Sequence, residues 1–329
     1  MRDIFANLKL FDIDLYKLRS RNFHADMIRD REEVFADFAE CLKTEHDFVC
    51  PLCEGRNKKL YLTWRDYNLY ECNDCGAVSP NVDHKKITDL SLHSSSIVAE
   101  DVRREIISTY DYRKNTFAAE RLIYLKNLIS GFGNTEDLVL DIGCGPGYFL
   151  SYLQDKKVHG RGLEVNPFCV NFCNETGLNV ADNKLENEPD EAYSLITMFD
   201  VLEHLDKPID FFKDAWKKLR PGGYLLAYTP NIHSMSTHLM EGEHNMLAVF
   251  NHLCFYDDRS LDFLVENTGF EITNIDYYGL DVMDYLAMKE AEEGYPFFEH
   301  LRPMVASLQA LVDAYGLGNS MRILFRKTG

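Results

Sequence analysis

Leu138-Val139-Leu140-Asp141-Ile142-Gly143-Cys144-Gly145-Pro146-Gly147-Tyr148-Phe149-Leu150 is the stretch whose reading decides the fold. Leu138 to Ile142 form an apolar run holding one acid, which suits a strand buried in a parallel sheet. Gly143, Gly145 and Gly147 follow as a turn whose backbone can approach a ligand with no Cβ in the way, and Tyr148 to Leu153 resume helical spacing. Strand, glycine turn and helix in that order set backbone N–H groups against a small cofactor at the carboxyl edge of a doubly wound sheet. A dinucleotide fingerprint needs glycine in the sixth place of G-x-G-x-x-G, but here that place is Tyr148, so the spacing is wrong for NAD. A glycine turn with no ligand is the plain alternative.

Outward from the turn, helix and strand patterns alternate as a doubly wound sheet requires. Upstream, Ala119 to Leu128 read as a helix with Leu122, Ile123, Leu125 and Leu128 on its apolar face. Downstream, a second strand ends at Gly162-Leu163-Glu164-Val165, with Glu164 lying 23 residues beyond Asp141. An acid at that strand tip can accept both hydroxyls of a ribose; the alternative is a solvated surface carboxylate. Asn166-Pro167 opens the next helix, Leu178 to Asp182 read as a short third strand, and Tyr193 to Asp200 as the fourth. Leu261, Leu264 and Val265 mark a helix ending at Gly269, Phe270 to Asp276 a sixth strand, and Met321 to Lys327 a last, antiparallel edge strand.

The cysteines carry a second signal. Cys50-Pro51-Leu52-Cys53 and Cys72-Asn73-Asp74-Cys75 stand eighteen residues apart, each pair followed by a glycine, Gly55 or Gly76. This is the paired-knuckle spacing of a four-cysteine structural zinc ribbon, and Leu60 to Trp64 with Tyr67 to Glu71 has the β-rich look of the joining hairpin. Four thiolates leave no open coordination position, so the metal is expected to support folding rather than catalysis. A redox Cys-x-x-Cys pair or buried thiols are the competing readings. Cys41, Cys144, Cys169, Cys173 and Cys254 lack such pairing and read as core or incidental thiols.

With Asp141 before it, the turn reads D-x-G-x-G-x-G and resembles motif I of class I S-adenosylmethionine-dependent methyltransferases. Phe199 to Pro208, Phe-Asp-Val-Leu-Glu-His-Leu-Asp-Lys-Pro, resembles their "FDVLEHLxxP" signature, and Leu219 to Leu226 their following motif. Asn251 to Tyr256 resembles their later "EHLxxF" segment. With the four-cysteine module, the chain is similar to bacterial zinc-ribbon methyltransferases of sugar, polysaccharide and natural-product pathways. The resemblance implies a Rossmann-like α/β fold with a seven-stranded doubly wound sheet and antiparallel last strand, plus a small zinc-ribbon module. It implies S-adenosyl-L-methionine as cofactor and S-adenosyl-L-homocysteine as product, bound by Asp141, Gly143, Gly145, Gly147, Glu164, Val165, Asp182, Phe199 and Asp200. Asp141 would meet the ammonium group and Asp182 the adenine amino group.

Related C-methyltransferases acting on keto sugars place catalytic histidines at the positions of His204 and His252. Asp200 stands where those enzymes have Asn, and Asn251 where they have Glu, which favours O- or N-methylation over C-methylation. The donor is already activated, so positioning and removal of one proton suffice, and histidine suits that proton near neutral pH. A second reading groups Asp200, Glu203, His204 and His252 around a divalent ion, since small-RNA 2′-O-methyltransferases hold Mg²⁺ with a similar arrangement. The ion would then polarise a substrate hydroxyl. A third is a methyltransferase fold without chemistry, serving as a binding module.

At 329 residues the chain exceeds one core, and it divides into a helical segment 1–47, the ribbon 48–84, a polar linker 85–107 and a main domain 108–329. The segment 26–43 reads as an amphipathic helix, 232–250 as a lid or connection, and 283–315 as a helical insertion that could cap the pocket or form a homodimer contact. A formal charge of −18 opposes binding to nucleic acid. No apolar run reaches the roughly 18 residues of a membrane span, and the start is not a secretory one, so a cytoplasmic location is expected. The expected partner is a small-molecule acceptor, with a nucleotide sugar or glycan precursor as first guess.

Overall fold

The computed structural model describes residues 13–18, 47–64, 67–95, 100–244, 246–247 and 251–329, with the isolated positions 24, 26, 29 and 36. Most of the amphipathic segment 26–43, Cys41 and part of the stretch 232–250 lie outside the described residues.

After a short helix α1 (Leu15–Leu18), three antiparallel strands β1 (Lys58–Trp64), β2 (Tyr67–Cys72) and β3 (Val78–Pro80) form a small sheet in the order β1-β2-β3. Two helices follow, α2 (His84–Ser95) and α3 (Glu100–Arg113), so most of the stretch read as a linker is helical. Ile87 is the reason at the front of α2: it is fully buried against Leu69, Val78 and Val82 of the ribbon, an anchor that the polar residues around it conceal. A π-helical turn, Lys114–Ala118, joins α3 to α4 (Ala119–Leu128). On α4 the buried residues are Leu122, Tyr124 and Leu125, whereas Ile123 and Leu128 are exposed.

The main sheet begins with β4 (Leu138–Ile142), α5 (Tyr148–Asp155), β5 (His159–Leu163), α6 (Pro167–Glu175), β6 (Val180–Ala181) and β7 (Tyr193–Phe199). It continues through α7 (Pro208–Lys218), β8 (Leu219–Pro230), α8 (Met235–Met240), α9 (Asp258–Glu266), β9 (Phe270–Tyr278), α10 (Asp281–Glu293), α11 (Phe297–Ala314) and β10 (Ser320–Lys327). Seven strands lie in the order β6-β5-β4-β7-β8-β10-β9. Those from β6 to β8 run parallel, and β10 is antiparallel to both of its neighbours. The last strand is therefore antiparallel but interior, and β9 is the edge: Ile323, Leu324 and Phe325 are too apolar to be left half-solvated.

Successive residues of the central strands serve opposite layers. Leu140, Ile196, Leu225 and Ile323 pack toward α7 and α9, whereas their neighbours Val139, Leu195, Leu226 and Leu324 pack toward α4 and α5. All are essentially inaccessible, and each such side chain contributes about 1.5–3 kcal/mol on burial. The first of these layers also takes in Cys50, Cys72 and Cys75, so the ribbon packs as part of the main core. α1, α10 and α11 bury Ile13, Leu18, Met283, Leu286 and Phe298 in a separate cluster over the carboxyl end of the sheet, beside the cavity described next.

Candidate active site

The glycine turn sits where parallel β4 and β5 end. Gly147 has φ +78° and caps α5; a Cβ there would come within 2.6 Å of Leu178 Cδ1 and 2.9 Å of Cys173 Sγ, so any other residue must displace both and also bear the strain of positive φ. Gly145 differs: its φ is +52°, yet a Cβ would meet nothing within 4 Å, so the space above it is open. Its N–H donates to Glu164 Oε2 at 2.7 Å, and Glu164 Oε1 accepts the Asn166 N–H at 2.8 Å. Asn166 in turn caps α6 by accepting from the amides of Phe168 and Cys169. The carboxylate expected to face a ribose is thus fixed across the mouth of the turn, each oxygen retaining a further lone pair.

Asp141 lies beneath this turn at 1% exposure, where it accepts a 2.7 Å bond from Thr197 Oγ1. Burial raises its carboxyl to about 7, against the opposing effects of Thr197 and the Arg121 charge. Val165 and Asp182 are exposed just past the ends of β5 and β6, along the same sheet edge. At the end of β7, Phe199 packs edge-on to Phe149 and Tyr228, and the Arg121 guanidinium stacks 3.7 Å from its ring centroid. Asp200 follows in a left-handed conformation, φ +58°, with its amide bonded to the Tyr228 carbonyl at 3.1 Å.

Beside these residues opens a cavity of ≈ 300 Å³ lined in part by Arg113, Phe117, Arg121, Tyr148, Asp200 and Tyr278. Enclosure by its walls raises the Asp200 carboxyl, an effect opposed by Arg121, His204 and Arg113. The two arginines had no motif to announce them. They stand at i and i+8, with Phe117 at i+4, along the continuous helical run from α3 through the π-helical turn into α4, and so share one wall.

The two histidines meet although 47 residues separate them. Their ring centroids are 4.8 Å apart, His204 Nδ1 bonds the Asn251 carbonyl at 2.7 Å and His252 Nδ1 bonds the Met246 carbonyl at 2.8 Å. A carbonyl only accepts, so in the neutral rings each Nδ1 carries the proton and each Nε2 the lone pair. Burial lowers the His204 pKa, with the Asn251 bond and Asp200 opposing. Glu203 is fully buried: Oε2 accepts from Thr229 Oγ1 at 3.1 Å, Oε1 has no hydrogen-bond partner among the described residues, and His204 Nε2 is 4.0 Å from it. Burial, then the Asp200 charge, push the Glu203 pKa well up. Glu203, His204 and His252 bring their ligand atoms within 4.8 Å of one another; Asp200 does not join that group.

Cys50, Cys53, Cys72 and Cys75 also converge within 4.8 Å, with Cys50 Sγ to Cys75 Sγ at 3.5 Å and Cys53 Sγ to Cys72 Sγ at 3.4 Å, none of them joined in a disulfide. The bond between the first pair holds Cys50 down to about 6 and pushes Cys75 up. Four thiols facing one point, with the Gly55 amide donating to Cys53 Sγ at 3.4 Å, are a donor set suited to a tetrahedral thiophilic cation. Cys144, Cys169, Cys173 and Cys254 are buried thiols.

Residues 112–275 match the family model described as "Methyltransferase domain". A ubiquinone biosynthesis O-methyltransferase, mitochondrial, of Candida albicans is 30% identical over 34% of this chain and 38% of its own length. Phosphoethanolamine N-methyltransferase 1 of Arabidopsis thaliana is 33% identical over 27% of this chain and 20% of its own. The chain thus spans well under two thirds of these curated relatives. Among solved structures, a SAM-dependent methyltransferase from Archaeoglobus fulgidus aligns at 20% identity and TM-score 0.46, covering 65% of this chain and 94% of that one.

Proposed function

From the premise that residues 112–275 are a class I S-adenosylmethionine-dependent methyltransferase domain, we propose that the chain transfers a methyl group from S-adenosylmethionine to a hydroxyl or amine of a small molecule. The observation that carries this is the open space over Gly145 with Glu164 clasped to its amide, at the carboxyl edge of the sheet where Asp182 and Asp200 also follow the ends of β6 and β7. In this reading Glu164 takes the ribose hydroxyls, Asp182 the adenine amino group, Arg121 the carboxylate and Asp141 the ammonium group. The acceptor enters the cavity between Arg113 and Tyr278, and a nucleotide sugar or glycan precursor is the first class to assay. His252 or His204 removes the acceptor proton through Nε2 while the protein aligns the acceptor with the sulfonium carbon. The four-cysteine set holds a structural zinc ion. Calorimetry with S-adenosylhomocysteine tests the proposal: binding is expected, Gly145→Arg is expected to abolish it, and no binding to the unaltered chain would favour a silent binding module.

One observation favours a second reading, in which a divalent cation assists O-methylation. Glu203 Oε1 is buried without a partner among the described residues where His204 and His252 converge, and both imidazoles are oriented by carbonyls through Nδ1, as metal-binding histidines usually are. The cation would act there as a Lewis acid on the acceptor oxygen. Full activity after chelation that leaves the thiolate-bound metal in place would exclude it.

A further inference from the structure

We infer that the four-cysteine centre is a positioning element for the two imidazoles, working through the segment Leu253–Tyr256, with Tyr256 as its positioning residue. The inference rests on the methyl-transfer reading above and adds a physical link between two parts of the chain that sequence keeps apart. Spacing alone assigns the cysteines a local folding role. Packing places them elsewhere: Cys50, Cys72 and Cys75 share one buried cluster with Leu202, Cys254 and Tyr256, directly behind the turn that carries Glu203 and His204.

Three connections tie the ribbon to that turn. Val78, three residues beyond Cys75, exchanges both backbone hydrogen bonds with Phe255, at 3.0 and 2.8 Å. The flanking residues Cys254 and Tyr256 then point to the opposite side, as alternation requires, into the cluster with the thiols, and both are fully buried. From there the Tyr256 hydroxyl reaches the Leu202 carbonyl at 3.5 Å, and the amides of Leu253 and Cys254 donate to the Glu203 carbonyl at 2.7 and 3.1 Å. His252 immediately precedes this segment, and its neighbour Asn251 fixes the His204 ring. Arg259, one turn further on, donates to the carbonyls of Asn73 and Asp74 in the second knuckle. Loosening the knuckles therefore releases the strap that sets both rings, while the glycine turn and Glu164, on β4 and β5, share an apolar layer with the ribbon but, among the described residues, no backbone hydrogen bond with it.

Imidazole NMR of protein labelled with ¹⁵N-histidine tests this without needing an acceptor. Signals of His204 and His252 are assigned with His204→Gln and His252→Gln, and recorded zinc-loaded and zinc-stripped, with S-adenosylhomocysteine affinity measured in parallel. Stripping is expected to shift or broaden both imidazole signals while the affinity stays within about twofold; unchanged imidazole signals in stripped, folded protein would overturn the inference. If stripping unfolds the chain, zinc-loaded Tyr256→Phe decides: displaced histidine signals with zinc content and affinity retained support the link, and unaltered signals refute it. A failure of the methyl-transfer reading would be seen separately, as no affinity in the unaltered protein.

Discussion

Glu164 holds Gly145 by its amide, Oε2 to N at 2.7 Å, and in the same grip takes the Asn166 amide at 2.8 Å. A carboxylate held by two backbone donors is fixed in direction, so in the proposed role toward a ribose diol its loss would cost both loop order and ligand contact. Hydrogen bonds to a charged group are worth about 1.5–3 kcal/mol each. Glu164→Ala is expected to weaken S-adenosylhomocysteine by about 10- to 100-fold, measured by calorimetry, with a small loss of melting temperature.

The turn's glycines separate stability from binding. Gly145→Ala adds a methyl group to empty space and bears only the strain of positive φ, about 1–2 kcal/mol. Gly147→Ala adds the same strain and drives its methyl into Leu178 and Cys173. The first variant should melt close to the unaltered chain yet bind cofactor product poorly; the second should lose clearly more melting temperature. Equal melting temperatures for the two would contradict the geometry.

Asp141 should tie stability to pH. Its carboxyl is raised to about 7 by burial, so the folded chain prefers it protonated. The associated stability is complete below the unfolded value near 4 and is lost as pH rises through about 7. Melting curves of the ligand-free protein from pH 4 to 8, compared with Asp141→Asn, should show the variant losing less stability over that window. A cofactor ammonium meeting the ionised carboxylate requires affinity to rise across pH 6–7.5 in the unaltered chain and to rise less in the variant.

His252→Ala is expected to leave S-adenosylhomocysteine affinity within about twofold and, once an acceptor is in hand, to lower turnover by roughly 10²–10⁴. Unchanged turnover would remove His252 as the base.

Metal analysis should find one zinc ion per chain. Cys72→Ser should lose it together with several degrees of melting temperature, because Cys72 lies within the main core.

The glycine turn, the parallel strands around it and the paired knuckles were legible because each depends on local spacing: glycine where Cβ is excluded, alternation within a strand, two cysteines per turn. What escaped depends on distance in sequence. Ile87 anchors α2 through partners from the ribbon, and Arg121 has a role only because Phe199 and Asp200, about 80 residues on, close the same cavity. The segment Leu253–Tyr256 gave a motif, but its hydrogen bonds to Glu203 and Val78 reach back 50 residues and more. The placement of β10 followed the same rule: its apolar run marked a strand, but two-sided pairing is set by β8 and β9.

That placement bears on how the chain is made. β10 enters between two neighbours that leave the ribosome before it, so β8 and β9 must wait with open edges until residues 320–327 arrive. A nascent chain halted before Ser320 would expose two unpaired strand edges, making late synthesis an interval in which this fold is open to aggregation.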